Sequence, residues 1–496
     1  MLATAQTFTL DGISARPVRV EVDVHRGLPA FSVVGLPDAA VREARERVRA
    51  ALVNCGFEFP LRRIVANLAP ASLRKAGPGL DLAISIALLT ASGQLDLGRR
   101  SIAMVGELAL DGSVRPVPGV LAIAEAAREH SCEAIVVPAE NGAEAALVEE
   151  LEVICLESLG QVAALVAGEW KPPRPRPMSL DRRQGELLPD LADLRGQRHL
   201  RYALEVAAAG GHSLLMVGPP GAGKSLAASR LPSILPPLAK EEALEVARVA
   251  SVCGRLGTGA GGRPFRSPHH TISPAGLIGG GNPPGPGEAT LAHRGVLFLD
   301  ELCEFRRDTL EALRAPLESG RVAVARAGTW RQLPCRFMLV AASNPCPCGR
   351  GESDPECSCA PLAVQRYQAR LSGALADRID VLAAIRQPSA EEIGGPAGEP
   401  STAVRERVVA ARERQESRLG AGRSNAEMTA AEVRDCALEE SAATLLAEAY
   451  ARRRLSGRAH DRVLRLARTV ADLVGSEAVG REQVAQALQL RRRDSQ

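Results

Sequence analysis

The chain has 496 residues, 46% hydrophobic and 24% charged, with a formal net charge of +3 at pH 7. That length supports two to four domains with real cores, and the composition is ordinary for globular proteins. The near-neutral balance leaves no global basic field of the kind that announces nucleic acid.

The start, MLATAQTFTLDG, has no basic stretch ahead of an apolar core. The longest strongly apolar run, LAISIALLTA at 82–91, is about half the length a membrane span needs. The expectation is a soluble, cytoplasmic protein with no membrane partner. Eleven cysteines, an odd number in a long chain where no secretory signal is expected, do not suggest a disulfide framework. Only Lys75, Lys171, Lys224 and Lys240 are lysines among 61 basic residues. A GC-rich genome accounts for the arginine preference, and Lys224 stands out against it.

Residues 1–168 read as an α+β domain. In PVRVEVDV, Val18, Val20, Val22 and Val24 alternate with other residues, the pattern of a half-buried strand. Asp38 then caps a helix whose apolar stripe is Val41, Ala44, Val48 and Leu52, and Gly56 suits its stop. IAMVGEL, IVVP and LEVICL read as later strands. Residues 169–183 form a linker around KPPRPRPM, where four prolines in eight residues favour extended backbone. Residues 184–393 form the central domain, GGPAGEPS (394–401) a second linker, and 402–496 a helical region. In the last, Val463, Leu466, Ala467, Val470 and Leu473 share a helix face, with Arg458, Arg462 and Arg465 off it. The 18 arginines from 401 onward against 14 acidic residues give a mild basic bias that a solvated surface would also explain.

The central domain carries the chemistry. SLLMVGPPGAGKS runs from an apolar strand into the loop Gly218, Pro219, Pro220, Gly221, Ala222, Gly223, Lys224, Ser225, which satisfies G-x-x-x-x-G-K-S. Glycines let backbone N–H groups turn toward phosphate oxygens; Lys224 adds charge at the β and γ phosphates, and Ser225 a hydroxyl for Mg²⁺. GVLFLDE (295–301) ends a second apolar strand in Asp300, suited to the Mg²⁺ shell, and Glu301, suited to polarising water. FMLVAASNP (337–345) delivers Asn344 at a third strand end, where it reaches γ-phosphate and water. In SGALADRID (372–380), Arg378 is placed to reach a neighbouring subunit's phosphate, or else to pair with Asp377 or Asp380. Arg458 in LSGRAH is a second candidate for γ-phosphate, or a plain surface arginine.

These elements in this order resemble an AAA+ ATPase. GRPFRSPHHTISPAGLIGGGNPPGPGEATLAHRGVLFLDE, LRAPLESGRVAVARA, AASNPCPCGRG and LADRID resemble its magnesium-chelatase-like branch. FSVVGLPDAAVREARERVRAAL, RRIVANLAPASLRKAGPGLDL and MVGELALDGSVRPVPGV resemble the YifB/ComM family, so the likeness spans residues 5–490. It implies a multidomain α/β protein: an N-terminal domain of Lon-protease-like (S5 domain 2-like) fold, a central AAA+ P-loop domain and a C-terminal helical lid. It implies an ATPase using ATP and Mg²⁺, assembled as a hexameric ring. For ComM-type members it implies a DNA helicase that drives branch migration on single-stranded or branched DNA during natural transformation. Ala376 stands where relatives often carry leucine, a packing change beside Arg378.

The Lon likeness does not carry peptidase chemistry. Gly79 in KAGPGLD stands at the serine position and Leu121 in RPVPGVLAI at the lysine position, so nucleophile and base are both missing. Lys75 and Asp81 remain in that glycine-rich turn, either structural or contributing to a binding surface. Two inserts are candidates for a DNA-facing pore. GLIGGGNPPGPGE (276–288) should project as a loop. GRVAVARAGTWRQLPCRF (320–337) reads as a hairpin with its turn near Ala327–Gly328, and Arg326, Trp330 and Arg331 near the tip would contact phosphate and stack on bases; packing between subunits is the plainer role. With 3% aromatic residues, sequence-independent phosphate contact fits better than base readout.

Finally, Cys346, Cys348, Cys357 and Cys359 form C-x-C-x₈-C-x-C directly after Asn344. The set suits a structural Zn²⁺ site, free thiols or a redox pair. Two other functions compete with a DNA motor: a chelatase-type motor that remodels a protein partner, and a non-hydrolysing nucleotide switch.

Overall fold

A computed structural model describes residues 1–75, 77–98, 100–180, 189–257, 261–281, 285–326, 329–351, 354–370, 375, 377–453 and 457–491. They fall into two compact units: Met1–Arg183 with Ala243–Gly261, and Gln184–Glu242 with Gly262–Gln496. Residues 243–261, inside the expected central run 184–393, group with the first unit.

The first unit is built on β1 (Leu2–Asp11), β2 (Ser14–His25), β3 (Ala30–Val34), α1 (Ala39–Asn54), β4 (Arg63–Ala69), α2 (Asp81–Ala91), β5 (Ile102–Met104), α3 (Val120–Glu129), β6 (Ala134–Pro138) and β7 (Glu152–Leu156). Its sheet runs β3-β4-β2-β1-β5-β6-β7. β1, β2 and β4 pair antiparallel, whereas β5, β6 and β7 are parallel. The four alternating valines of β2 are all buried, as a period of two requires for one covered face. Asp38 accepts from the Val41 N–H at 2.9 Å and starts α1. The apolar run at 82–91 is α2, buried on all sides except at Thr90 and therefore a central core helix.

Lys75 and Asp81 point into the fold. The Lys75 side chain is fully buried and donates to the Pro70 carbonyl. Asp81 is also buried and accepts from Arg47 at 2.6 and 3.1 Å. Leu121 is buried in the core. A side chain at Gly79 would face Val105 and Val117.

The second unit contains α4 (Arg198–Gly210), β8 (Leu214–Val217), α5 (Lys224–Ile234), the first turn of α6 (Lys240–Val252), β9 (Phe265–Arg266), β10 (Val296–Leu299), β11 (Arg321–Arg326), β12 (Thr329–Pro334), β13 (Met338–Ser343), β14 (Val381–Ala384), α7 (Ser401–Leu419), α8 (Glu440–Arg453), α9 (Gly457–Val474) and α10 (Arg481–Gln489). The order β9-β10-β13-β8-β14 is parallel throughout. The strands of such a sheet are covered on both faces, which is why LLMV, VLFL and MLVAAS are continuous apolar runs.

The stretch 394–401 is hydrogen-bonded to the segment ahead of α4. Arg195 Nη1 donates to the Ile393 and Gly395 carbonyls, and the Leu191 N–H donates to Ser401 Oγ at 2.7 Å. One apolar cluster joins Leu214, Val296 and Val340 of the sheet to Val408 of α7 and Leu466 of α9. The arginines of the C-terminal helices are not simply solvated. Buried Asp472 accepts from Arg418 and Arg468, each at 2.9 Å. Arg465 donates to the Met428 carbonyl at 2.6 Å.

Candidate functional site

The P-loop follows the C-terminal end of β8, between β13 and β14, which places it at the crevice where open α/β sheets bind ligands. Gly221 and Gly223 have φ of +77° and +86°, in the left-handed region that admits glycine without strain. Gly218 is small for another reason: a Cβ there would stand 2.4 Å from the Ile385 carbonyl oxygen. Lys224 opens α5 as expected of the motif.

The side chains converge as the strand ends require. Lys224 Nζ donates to Asn344 Oδ1 at 3.0 Å and to the loop's own carbonyls, Gly218 at 2.6 Å and Pro219 at 2.9 Å. Burial lowers the Lys224 pKa, and the charges of Asp300 and Glu301 partly offset that shift. Ser225 Oγ donates to Asp300 Oδ2 at 2.6 Å, and the Glu301 N–H donates to Asp300 Oδ1 at 2.9 Å. Hydroxyl and carboxylate oxygens are the donors Mg²⁺ takes beside phosphates, so Ser225 and Asp300 fit that ion. Glu301 itself is 56% exposed and sits at φ +51°, an uncommon conformation for a non-glycine residue.

Two residues not assigned from the sequence belong here. His270 Nδ1 lies 3.3 Å from Glu301 Oε2. Gln197, at φ +46°, donates through Nε2 to the carbonyls of Ala222 (2.9 Å) and Arg386 (3.0 Å), tying the P-loop to the segment after β14. Beside the loop is a cavity of about 1660 Å³ whose walls include Gln197, Tyr202, Gly218, Asn344 and Arg386.

The two candidate arginines are placed differently. Arg378 is mostly buried and pairs with Glu318, rather than with Asp377 or Asp380. Ala376 beside it lies outside the described residues. Arg458 is exposed in the first turn of α9, one turn ahead of Arg462, which pairs with Asp380 at 3.6 Å. Asp380 precedes β14, at the sheet end away from the P-loop. Among the described residues the Arg458 side chain has no ion-pair partner and is not joined to the Lys224 cluster. Both arginines thus stand apart from this chain's own P-loop.

Of the two inserts, 320–337 is a hairpin in which Arg326 pairs with Thr329 and Ala325 with Trp330. Ala327 and Gly328 lie outside the described residues, as do the side chains of Arg326 and Trp330. Arg331 is half-buried on β12. The other insert forms a short helix, Pro274–Ile278, and a two-residue ladder between Gly279–Gly280 and Gly285–Pro286. The two inserts meet: a Cβ at Gly279 would lie 3.1 Å from Val324 Cγ2.

The four clustered cysteines converge as well. Cys346 Sγ is 3.3 Å from Cys348 Sγ and 3.8 Å from Cys357 Sγ, and all four sulfurs lie within 4.8 Å of one another.

A P-loop strand flanked by the strands carrying Asn344 and Arg386, with Asp300–Glu301 one strand further, is the arrangement of an AAA+-type P-loop domain. Residues 190–393 match magnesium chelatase subunit ChlI, residues 20–141 match a second ChlI segment, and residues 398–491 match the ChlI C-terminal region. The chain is 42% identical to YifB of Salmonella typhimurium and to YifB of Escherichia coli, covering 99% of this chain and 97% of each relative. It is also 42% identical to the competence protein ComM of Haemophilus influenzae, over 96% of this chain and 95% of that one. The chain belongs to the YifB/ComM family of magnesium-chelatase-like AAA+ proteins. No helix among its described residues is long and apolar enough to cross a membrane.

Proposed function

We propose that this protein is an ATP-hydrolysing, ring-forming DNA motor that moves strands or branch points. The observation that carries the reading is the convergence of Lys224, Asn344, Ser225, Asp300 and Glu301 around one P-loop. A nucleotide switch without turnover would have no use for Glu301 beside Asp300.

In this reading the P-loop N–H groups and Lys224 bind the phosphates of ATP. The carbonyl partners of Lys224 are then exchanged for phosphate oxygens, while Asn344 keeps the ammonium aimed along the loop. Ser225 and Asp300 hold Mg²⁺, which supplies charge neutralisation at the β and γ phosphates. Glu301 accepts the proton of the attacking water, and Asn344 orients that water. Arg378 completes a neighbour's site, since it stands apart from its own P-loop; a hexameric ring provides that neighbour. Arg458, exposed in the first turn of α9, is the candidate for γ-phosphate contact from the helical region.

The DNA side of the reading is supported by the ComM relative's role in competence and by the paired inserts at 276–288 and 320–337. Arg326, Trp330 and Arg331 on the hairpin are the proposed contacts, through phosphate and without base readout. The match to ChlI supports a second reading, a chelatase-type motor that remodels a protein partner. The two are separated by comparing ATP hydrolysis with no DNA, single-stranded DNA, duplex and a branched junction. Stimulation by DNA supports the motor on DNA; hydrolysis indifferent to every DNA refutes it and favours the protein-remodelling reading.

A further inference from the structure

We propose that Cys346, Cys348, Cys357 and Cys359 hold one structural Zn²⁺, and that this metal knuckle braces the P-loop and Asn344. The bracing role rests on the nucleotide site described above; the metal site does not.

Three of the six sulfur–sulfur separations match the edges of a metal tetrahedron, and the Cys359 sulfur lies within 4.8 Å of the other three. With Zn–S bonds of about 2.3 Å, the edges of a four-thiolate tetrahedron are about 3.8 Å. The Sγ–Sγ separations are 3.3 Å for Cys346–Cys348, 3.8 Å for Cys346–Cys357 and 3.6 Å for Cys348–Cys357. The ion is enclosed on one side, because Cys346 is fully buried while Cys348 is exposed. The Gly351 N–H donates to Cys346 Sγ at 3.2 Å, the outer hydrogen bond that orients a ligating sulfur. That bond is possible because the chain doubles back through Gly349 and Gly351, at φ of +87° and +90°. Four soft sulfur donors with no open position suit a structural zinc rather than a catalytic one.

The knuckle also touches the nucleotide loop. Asn344 lies two residues before Cys346. A Cβ placed on Gly349 would stand 2.8 Å from Pro220 Cγ of the P-loop and 3.9 Å from Asn344 Nδ2. The metal therefore fixes a turn that packs on the phosphate loop and carries the residue bonded to Lys224. Loss of the ion frees that turn, and ATP binding weakens with it.

The test uses the full-length protein, purified without chelator or a metal-affinity tag. Elemental analysis is expected to give one zinc per chain, and a Cys348→Ser/Cys359→Ser variant to lose it, while Cys55→Ser, away from the cluster, retains it. Exchange with Co²⁺ in the wild-type chain should give the visible absorption of a tetrahedral four-thiolate centre, so the assignment does not depend on a variant that folds. Absence of stoichiometric zinc, iron in its place, or no such cobalt spectrum overturns the site. Binding of a fluorescent ATP analogue is then compared with and without zinc. A several-fold loss of affinity on zinc removal, reversed by adding Zn²⁺, supports the brace; unchanged affinity overturns it and leaves the metal site standing. Failure of the zinc-loaded protein to bind the analogue at all counts against the nucleotide site, not against the zinc.

Discussion

His270 Nδ1 stands 3.3 Å from Glu301 Oε2, so the carboxylate proposed to activate water is engaged by a side chain from the loop after β9. Glu301 meets it from a left-handed backbone conformation, φ +51°, that few non-glycine residues adopt. The contact restrains the Glu301 carboxylate. His270→Ala should release it: basal hydrolysis is expected to rise several-fold with nucleotide affinity unchanged. Equal steady-state rates for variant and wild type would show that the contact does not restrain Glu301.

Lys224 is bound to two loop carbonyls and Asn344, and so supports the loop before any phosphate arrives. Lys224→Ala is expected to abolish nucleotide binding, measured with a fluorescent ATP analogue. Retention of wild-type ATPase would mean that turnover occurs elsewhere.

The candidate nucleotide site was the most legible region of the sequence. Gly218–Ser225, Asp300–Glu301 and Asn344 each follow an apolar run, and in a parallel sheet such runs deliver their last residues to one edge. Side chains that reach the site from a loop and a helix start left no comparable signal. His270 follows a two-residue strand, too short for periodicity to reveal, and Gln197 acts through an unusual φ that no composition betrays. The helical stripe of α9 was readable, but the partners of its arginines were not. Arg468 and Asp472 are an i,i+4 pair within α9, but Arg418 reaches Asp472 only once α7 and α9 pack, and Glu318 pairs with Arg378 from 60 residues away. The assignment of 243–261 to the first unit was hidden because α6 is continuous across the division.

Asp472 is fully buried between Arg418 and Arg468. Removing one partner of such a group leaves buried charge uncompensated, at a cost of about 3–5 kcal/mol. Asp472→Ala should therefore lower thermal stability markedly, and a melting temperature within a degree or two of wild type would contradict the network's importance.

Arg378 lies away from its own P-loop, mostly buried against Glu318. Arg378→Ala should retain ATP binding while hydrolysis falls, by as much as about 10³-fold if it acts as an arginine finger. Mixing Arg378→Ala with Lys224→Ala chains should restore partial activity, because each supplies what the other's neighbouring site lacks. No recovery in mixed assemblies would place Arg378 outside the shared site.

The central claim is ATP-driven work on DNA through Glu301. The most direct measurement is ATP hydrolysis by the purified protein with no DNA, single-stranded DNA, duplex and a branched junction, with Glu301→Gln alongside. Single-stranded or branched DNA is expected to stimulate hydrolysis, and the variant to bind ATP but hydrolyse it about 10²–10⁴-fold more slowly. Robust hydrolysis that ignores every DNA, or that survives Glu301→Gln, would contradict that claim.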